Sequence, residues 1–366
     1  MPAPVAPRID RVRSRMDDLG VDVLLLSLGA DLPWLTGYEA MPLERLTMLV
    51  LPAEGDATLV VPELEAPRVE VRPDVFAVRP WAETEEPLAI VASLVGRRRN
   101  LAISDRTWAT FVLALQSALP GAAWQPASTV TSPLRAVKDA EEVEALRRAA
   151  EAADRVAAQL LAGDVPLIGR TEAEVSQDLG RRLLAEGHQR VNFAIVGSGP
   201  NSASPHHEPG GRRIGAGEAV VCDFGGSLDG YCSDITRTVF TGEPPDGFVE
   251  VYGVVQAAQR AGVEAARAHT AAEAVDRAAR GVITEAGYGE RFLHRTGHGI
   301  GMEEHEDPYL VEGNGAPLEE GNAFSVEPGI YLPGRFGVRI EDIVVVGRSG
   351  PDALNRADHD LAVVEA

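Results

Sequence analysis

Residues 219–240 read AVVCDFGGSLDGYCSDITRTVF, and this segment carries the strongest structural signal in the chain. Two apolar runs flank the turn-forming S-L-D-G, so the segment predicts a β-hairpin. With the turn centred between Leu228 and Asp229, Asp223 and Asp234 would lie directly opposite each other. Opposed side chains in a hairpin have Cβ atoms about 4.5–5.5 Å apart, and two carboxylates at that distance repel unless a cation lies between them. The hairpin therefore predicts a cation site.

A second pair of acids has the same relation. Glu327 and Glu341 are equally distant from Gly334, which lies in a P-G-R-F-G segment suited to chain reversal. A hairpin there would oppose two more carboxylates, although a single such acid is more often an exposed strand residue. Four carboxylates balance the charge of two divalent cations, and paired cations about 3.5–4 Å apart generate a hydroxide nucleophile from water. The two pairs together indicate a two-metal site.

A histidine completes the candidate ligand set. His298 lies in T-G-H-G-I-G, where the flanking glycines would let the backbone approach closely and leave the imidazole projecting towards a site. A lone histidine there would more often be structural. One imidazole with four carboxylates favours Mn²⁺, Co²⁺ or Fe²⁺ over a thiolate-type zinc centre. We expect two divalent ions, Mn²⁺ first among them, with Zn²⁺ also possible.

Composition limits the classes of protein that the chain can be. Its 366 residues are 45% hydrophobic, enough for two ordinary domains with substantial cores. The formal net charge of −21 would repel phosphate backbones, so we expect no nucleic-acid partner. No apolar stretch approaches the roughly 20 residues of a membrane span, and the N-terminal MPAPVAPRIDRVRSRM lacks the pattern of a signal peptide. We expect a cytoplasmic protein whose two cysteines, Cys222 and Cys232, are reduced and structural.

The N-terminal part of the chain alternates helical and strand patterns, which is typical of an α/β domain. We predict helices at Pro7–Leu19, Glu85–Val95 and Trp108–Ala118 and strands at Asp22–Leu28, Leu46–Leu51 and Ala57–Val61, with a short apolar run at Leu101–Ile103. Gln125–Pro133 is rich in Ser, Thr and Pro and is predicted to be a loop. We therefore place the domain boundary in it, with an N-terminal α/β domain over 1–132 and a second domain over 133–366.

The second domain begins with helices and continues mainly with strands. Asp139 with Glu142, and Thr171 with Glu174, fit the capping-box pattern that starts a helix. We predict helices at Ala140–Leu161, Thr171–Glu186, Phe248–His269 and Ala272–Ala286, and strands at Val191–Val196, Ala219–Phe224, Tyr231–Phe240, Ala323–Tyr331 and Gly337–Val346. Runs of strands interrupted by helix pairs favour an α+β fold with a curved antiparallel sheet backed by helices.

Five motifs together resemble a known family. V-C-D-F-G, S-D-I-T-R-T, T-G-H-G-I-G, S-V-E-P-G and V-R-I-E-D are similar to the motifs of metallopeptidases with the pita-bread (creatinase/aminopeptidase) fold, which include methionine aminopeptidase, aminopeptidase P and prolidase. They occur in the family's order, and S-P-L-R-A-V-K-D-A-E-E-V resembles the start of the catalytic domain in proline-specific members. The resemblance implies that Asp223 chelates one metal, that His298 and Glu327 bind the other, and that Asp234 and Glu341 bridge the two.

The resemblance also implies a mechanism and two accessory histidines. His206, in S-G-P-N-S-A-S-P-H, matches a histidine near the scissile bond, and His305, in M-E-E-H-E-D-P, matches one that stabilises the tetrahedral intermediate. His207 is the adjacent alternative to His206, which we choose because it directly follows Pro205. A metal-bridging hydroxide would attack the peptide carbonyl, and Glu327 would shuttle the proton.

One arginine lies close to the predicted ligands. Arg339 is two residues before Glu341, so both side chains would lie on one face of a strand. Arg339 would then orient the carboxylate ligands from behind. A surface salt bridge is the equally weighted alternative.

The N-terminal domain narrows the choice of activity. An α/β domain of this size is typical of prolidase and aminopeptidase P and is missing from minimal methionine aminopeptidases, so the resemblance implies cleavage of Xaa-Pro bonds. The proline imide nitrogen carries no hydrogen, so a dedicated pocket is needed. In such relatives the small domain helps to close the active site of a dimer partner. D-L-P-W-L-T-G-Y-E would then face substrate, although Trp34 and Tyr38 fit a core equally well.

One departure from the family pattern concerns dipeptide recognition. Prolidases place an arginine just after the H-E-x-P segment to bind the substrate carboxylate, whereas this chain has Tyr309. Arg45 or Arg335 would replace it, because a guanidinium binds a carboxylate bidentately. We therefore expect a homodimeric Xaa-Pro dipeptidase acting on small peptides with proline second, with aminopeptidase P acting on longer peptides as the alternative.

Two other classes compete with a peptidase. A creatinase-like hydrolase of a small non-peptide C–N bond would lack the metal ligands, and this chain keeps all five. A binding protein that retains the fold without catalysis would also lose ligands or accessory histidines. The sequence favours the enzyme over both.

Overall fold

The computed structural model describes residues 5–365. Contacts divide the chain into two compact units, the first ending at Arg135 and the second beginning at Ala136. Over the described residues, no helix combines the length and the apolar character that crossing a membrane requires.

The first unit is built on a six-stranded mixed sheet. Its elements are α1 (Val5–Leu19), β1 (Val23–Leu26), α2 (Asp31–Thr36), β2 (Met48–Pro52), β3 (Thr58–Pro62), β4 (Ala77–Trp81), α3 (Pro87–Val95), β5 (Asn100–Ile103), α4 (Ala109–Ala118), β6 (Ala123–Pro126) and α5 (Ser128–Ala136). The strand order is β4-β3-β2-β1-β5-β6. Every residue of β1 is buried, as expected for a central strand whose two faces are both covered.

The predicted loop at Gln125–Pro133 is wrong over most of its length, because Ser128–Ala136 forms α5. Ala127, Val130 and Thr131 are buried at helical spacing, which gives the segment an inward face despite its polar composition. Thr131 and Arg135 also donate hydrogen bonds to the two carboxylate oxygens of Asp31. These contacts across about a hundred residues stabilise a helix that local composition did not indicate.

The second unit contains four helices and twelve strands within the described residues. They are α6 (Ala140–Leu161), α7 (Glu172–Ala185), β7 (Arg190–Ser198), β8 (Ala219–Leu228), β9 (Tyr231–Cys232), β10 (Ile235–Thr241), α8 (Asp246–Ala265), α9 (Ala272–Glu285), β11 (Gly297–Gly299), β12 (Glu306–Leu310), β13 (Ala323–Val326), β14 (Gly329–Leu332), β15 (Phe336–Arg339), β16 (Asp342–Gly347), β17 (Gly350–Ala353) and β18 (Val363–Val364). Both predicted capping boxes are confirmed, at the starts of α6 and α7.

The strands of the second unit form two main sheets and a separate hairpin. One sheet has the order β18-β10-β8-β7, with β9 paired to β8, and the other has the order β12-β11-β13-β16-β17. Within residues 5–365, β14 and β15 pair only with each other. Apart from the parallel β10–β18 contact, neighbouring strands are antiparallel, as the sequence predicts.

The hairpin of β8 and β10 forms, but its predicted register is wrong. Asp223 pairs with Thr236 and not with Asp234. Asp229 and Gly230 both have positive φ, 52° and 83°, which is the signature of a two-residue turn of type I′. This turn lies one residue later than the predicted centre and shifts the register by two residues. Since side chains alternate with a period of two, the shift leaves Asp234 on its original face.

The register predicted for Glu327 and Glu341 is confirmed. β13 pairs with β16 and β14 pairs with β15 in one common register, which places these two glutamates across from each other. The predicted strands Ala323–Tyr331 and Gly337–Val346 are nevertheless interrupted at the glutamates. Pro328 follows the first of them and has no N–H for a strand ladder. Both acids therefore lie where the backbone leaves one sheet for the next hairpin.

Candidate metal centre

A cavity of about 390 Å³ lies within the second unit. Eight of its lining residues are candidates that the sequence singled out: His206, Asp223, Asp234, His298, His305, Glu327, Arg339 and Glu341. The rest of its lining is Phe193, Ile195, Pro205, His294, Arg295 and Glu304. Residues more than a hundred positions apart thus converge on one cavity.

Four of the five predicted metal ligands lie together, with the three carboxylates of Asp234, Glu327 and Glu341 around His298. Ligand atoms of Asp234, His298 and Glu341 all lie within 4.8 Å of one another. His298 Nε2 is 3.7 Å from Asp234 Oδ2 and 3.5 Å from Glu327 Oε1. His298 Nδ1 is 3.2 Å from the carbonyl oxygen of Gly299, so Nδ1 carries the hydrogen and the lone pair of Nε2 faces the carboxylates. A lone pair facing carboxylates calls for a cation between them.

The electrostatics of the cluster lead to the same conclusion. Burial, followed by repulsion from neighbouring carboxylates, raises the pKa of both Asp234 and Glu341 well above their ordinary values. Burial raises the pKa of Glu327 to about 7, and burial with the neighbouring His305 lowers the pKa of His298 to about 3. The protein alone therefore opposes ionisation of its own acids. Oxygen donors with one imidazole nitrogen fit divalent ions of the Mn²⁺, Fe²⁺ or Co²⁺ type.

Asp223, the fifth predicted ligand, forms an ion pair with an arginine and also lines the cavity. Its Oδ2 lies 2.5 Å from Arg339 Nη2, while its buried Oδ1 has no hydrogen-bond partner among residues 5–365. A buried carboxylate oxygen without a partner is costly. A cation bound in the cavity would satisfy it.

Arg339 is buried and makes several hydrogen bonds. The alternative prediction, that it forms a surface salt bridge, is therefore wrong. Only 2% of the residue is exposed. Its Nε donates to Thr236 Oγ1 (3.1 Å), and that hydroxyl donates to Glu341 Oε2 (2.6 Å). Together with the contact to Asp223, this chain of bonds orients two predicted ligands from behind.

Sequence reasoning missed a tyrosine–histidine pair beside Arg339. Arg339 Nη1 donates to the Tyr331 hydroxyl (3.0 Å), which lies 2.8 Å from His294 Nε2. His294 Nδ1 is 2.8 Å from the Arg295 carbonyl oxygen and must donate to it, so Nε2 accepts from the tyrosine. Burial, followed by the charge of Arg339, lowers the pKa of His294 to about 3. The only sequence signal was an H-R pair just before T-G-H-G.

A second buried arginine, Arg237, also escaped the sequence analysis. Its Nη1 donates to the carbonyl oxygens of Glu341 (2.7 Å) and Thr236 (2.9 Å), and its Nη2 lies 2.8 Å from Asp342 Oδ1. These bonds hold the carbonyl group of Glu341 and the side chain of the residue that follows it. The T-R-T motif could have indicated this arginine, but the sequence analysis used the motif only to establish the family resemblance.

The structure places the two adjacent histidines in different surroundings. His206 lines the cavity, whereas His207 Nε2 lies 2.8 Å from Glu172 Oε2, away from the ligand cluster. His305 lines the cavity too, and its ring centroid is 3.8 Å from that of His298. Burial, followed by the charge of Arg295, lowers the pKa of His305, so this imidazole is neutral at pH 7.

Arg45 and Arg335, the two arginines predicted to bind the substrate carboxylate, are not among the residues that line this cavity. Arg335 is exposed, with its guanidinium carbon 5.3 Å from the Phe336 ring centroid. Arg45 belongs to the first unit and pairs with Glu44 and Glu83, each at 2.7 Å.

Besides Arg339, the cavity is lined by a second arginine, Arg295, which sequence reasoning missed. Its guanidinium carbon lies 4.4 Å from the centroid of Tyr309, the residue that departs from the family pattern. No carboxylate of the described chain forms an ion pair with Arg295. Its position three residues before His298 was the available signal.

In the first unit, Trp34 and Tyr38 are 1% and 4% exposed. The structure therefore supports the alternative that Trp34 and Tyr38 are core residues, and not that they face substrate. Trp34 lies in α2, which the sequence analysis did not predict.

Comparison with known proteins covers both units. The model of metallopeptidase family M24 matches residues 144–348, and that of the creatinase/prolidase N-terminal domain matches residues 8–137. The chain is 44% identical to a probable dipeptidase PepE of Mycobacterium tuberculosis (98% of this chain, 96% of the relative) and 35% identical to an Xaa-Pro dipeptidase of Lactobacillus helveticus (97% and 98%). A crystal structure of a prolidase from Thermococcus sibiricus superposes with a TM-score of 0.91 at 36% identity, covering 99% of both chains.

Proposed function

This chain belongs to metallopeptidase family M24, and from that premise we propose that it hydrolyses Xaa-Pro dipeptides. The observation that carries the proposal is the buried cluster of Asp234, His298 and Glu341 inside a cavity of peptide size. Relatives named dipeptidase and Xaa-Pro dipeptidase support the substrate class. The family resemblance drawn from the five motifs is correct.

The four acids and one imidazole named from the sequence would hold two divalent cations: Asp223, Asp234, His298, Glu327 and Glu341. Such cations, when bound, supply a hydroxide nucleophile at neutral pH and polarise the substrate carbonyl. Glu327 would accept a proton on its carboxylate and pass it to the proline nitrogen as that nitrogen leaves. A carboxylate that accepts and returns a proton in this way acts first as a general base and then as a general acid.

The two accessory histidines would act on the substrate itself. Because the pKa of His305 is lowered, its neutral ring can donate an N–H to the carbonyl oxygen as negative charge develops there. His206, on the cavity wall, would position the scissile bond. Arg339 would contribute through Asp223 and Glu341, which it holds in place.

The rest of the lining supports a short substrate with proline at its second position. Phe193 and Ile195 give the cavity an apolar wall that suits a pyrrolidine ring. Arg295 forms no ion pair with a carboxylate of residues 5–365 and would bind the free C-terminal carboxylate of a dipeptide. The ring of Tyr309 would hold that guanidinium by a cation–π contact. Arg295 therefore suits the role better than Arg335, which is exposed, while Arg45 stays the candidate from the first unit.

The proposal is tested with Ala-Pro, Ala-Pro-Ala and Gly-Leu, using protein stripped of metal and reloaded with Mn²⁺. We expect turnover of Ala-Pro alone. Preference for Ala-Pro-Ala would instead favour aminopeptidase P, which remains the alternative activity. No turnover of any substrate by protein with metal bound would contradict the peptidase assignment.

Substitution of Arg295 tests the choice of a dipeptide. Hydrogen bonds to charged groups are worth about 1.5–3 kcal/mol, so Arg295→Met should raise KM for Ala-Pro roughly 10- to 100-fold while lowering kcat far less. Arg335→Met is the matched control and should leave KM within about twofold, because that side chain is exposed. An unchanged KM in Arg295→Met would exclude a contact with the carboxylate.

Three properties remain predictions: that the protein uses Mn²⁺, that it is a homodimer, and that it is cytoplasmic. Elemental analysis of protein purified without added metal would test the first. Light scattering would test the second, and fractionation of the producing cells would test the third.

A further inference from the structure

The segment that carries His206 is held by a second, separate set of buried polar groups. It begins at Ser198, the last residue of β7, and ends with the histidine pair, His206 and His207. His206 points to the cavity while its neighbour His207 points to Glu172. The two histidines therefore cannot be exchanged without turning the segment over.

Glu172 is the centre of these contacts. It is the first residue of α7 and is fully buried. Its Oε1 accepts from the backbone N–H of Ser198 (2.8 Å), the Ser198 hydroxyl (2.8 Å) and Asn201 Nδ2 (3.0 Å), and its Oε2 lies 2.8 Å from His207 Nε2. One carboxylate thus binds the beginning, the middle and the end of the segment.

Two further contacts hold the residues of the segment that precede His206. Arg339 Nη1 donates to the carbonyl oxygen of Pro205 (3.3 Å), the residue just before His206. Earlier in the segment, the Ser202 hydroxyl accepts from the backbone N–H of Gly337 (2.8 Å). His206 therefore lies between a residue bound by Arg339 and a residue bound by Glu172.

We propose that Glu172 and His207 are a positioning pair, which fixes the backbone so that His206 meets the substrate. The proposal rests on the proposed function, in which His206 contacts the scissile bond. Neither residue of the pair lines the cavity or belongs to the ligand cluster. Their effect on catalysis is exerted through the placement of His206 alone.

A purely structural role for Glu172 is the competing explanation, because an acid in the first turn stabilises a helix through its dipole. Glu174 offers a matched comparison, since it is an exposed acid of the same first turn and forms the capping box with Thr171. Glutamine retains that capping function. A dipole effect would act from both positions, whereas positioning of His206 requires only Glu172.

The first test is kinetic, with Ala-Pro as substrate. Loss of a residue that orients a functional group typically costs about 10- to 100-fold, so Glu172→Gln and His207→Ala should lower kcat/KM by that factor. His207→Gln, which keeps an N–H donor, should recover most of the rate, and Glu174→Gln should stay within about twofold. In a His206→Ala background, Glu172→Gln should cause no further loss, since residues that act as one unit are not additive.

The second test does not depend on activity. Hydrogen exchange of metal-free protein should quicken in residues 198–207 for Glu172→Gln and His207→Ala, and not for Glu174→Gln or His207→Gln. Mn²⁺ affinity should stay within about twofold of wild type in all four variants, because the pair lies outside the ligand cluster.

The outcomes separate the two proposals. Wild-type protein that fails to cleave Ala-Pro would defeat the proposed function, while the exchange data would still decide whether the pair orders the segment. Unchanged exchange, or an equal loss of rate in the His206→Ala background, would overturn the positioning pair. Should Glu172→Gln fail to fold, the two His207 variants carry the same comparison.

Discussion

Arg339 shows how many contacts one buried side chain can supply. Its guanidinium reaches Asp223, Thr236, Tyr331 and the carbonyl oxygen of Pro205. An arginine has five N–H donors in a rigid fork, and no other residue type could meet all four acceptors. The residue therefore couples the predicted ligands to the segment that carries His206.

Replacing Arg339 with Met should destabilise metal-free protein by about 3–5 kcal/mol, because a buried carboxylate loses its counter-charge. Bound metal should reduce the difference, since Asp223 would then face a cation. Urea denaturation with and without Mn²⁺ measures both effects. Arg335→Met, at an exposed site, should change stability by less than about 0.5 kcal/mol. Equal losses with and without metal would argue against Asp223 as a ligand.

His188 supports the approach to Asp234 from the other side. Its Nδ1 is 3.1 Å from the Leu183 carbonyl oxygen, and its Nε2 is 2.8 Å from the hydroxyl of Ser233, the residue before that ligand. Nδ1 donates to the Leu183 carbonyl oxygen, and in the neutral ring Nε2 accepts from the Ser233 hydroxyl. Burial lowers the pKa of His188, the bond to Leu183 opposes this, and nearby Arg155 adds to the lowering.

This histidine predicts a pH dependence of stability. An unfolded histidine has a pKa of about 6.5 and takes up a proton that folded His188 resists. Below about pH 6.5 the unfolded state then binds more protons, so the free energy of unfolding falls as pH falls. Urea denaturation of wild type and His188→Gln should show a wild-type advantage at pH 7.5 that shrinks by pH 5.5. A difference that does not vary with pH would contradict the expectation.

At the scale of elements, glycines set how closely the strands of the site approach. Gly297 lies in β11, beside His298, and a Cβ added there would be 1.8 Å from the Ser325 carbonyl oxygen of β13. No side chain fits at that distance. The flanking glycines of T-G-H-G-I-G are therefore needed for strand contact as well as for projection of the imidazole.

Gly297→Ala should destabilise the protein by about 3 kcal/mol or more, since overfilling a packed contact forces the backbone to move. It should also weaken Mn²⁺ binding, because His298 would move with β11. Gly253→Ala is the matched control in α8, where an added Cβ meets nothing within 4 Å. This second change should stabilise the protein by about 0.5–1 kcal/mol. Thermal unfolding and metal titration of both variants would reveal whether the two effects have opposite signs.

Elements with strong local signals were predictable, and several short elements without such a signal were missed. α6 begins and ends where the sequence predicts, because a capping box and a long apolar periodicity both specify it. α2, β4 and β6 were missed, since they have only six, five and four residues and little room for a periodic pattern. The break between β9 and β10 was missed as well, although it is where Asp234 leaves the ladder.

At the scale of the whole molecule, the predicted class is correct: an α/β first unit and an α+β second unit, consistent with the matched family models and with solved prolidases. The second unit also holds a strong excess of buried acid in one cavity. Its stability should therefore depend on cations more than its core packing alone would suggest.

Removal of metal should lower the stability of the protein measurably. A ligand that binds only the folded state stabilises it by about 2.7 kcal/mol at a hundred times its Kd, and here it also relieves repulsion among acids. Thermal unfolding should therefore shift downward with a chelator and recover with Mn²⁺. Asp234→Asn, which removes a predicted bridging ligand, should show little of this shift. An identical shift in wild type and variant would place the stabilising metal elsewhere.

The sequence by itself determined which donors are available, their order along the chain and the register of Glu327 against Glu341. These follow from local patterns: turns, capping boxes and motifs of a few residues. It also determined the family, because five motifs in one order rarely arise together by chance.

Only the tertiary structure decided how these donors are oriented and supported. Arg339 and Asp223 are 116 residues apart, and His207 and Glu172 are 35 apart. No local pattern specifies which of two adjacent histidines faces the cavity, or that Arg295 and not Arg335 lines it. Those outcomes depend on where distant strands meet and which buried polar groups need partners, and both are properties of packing.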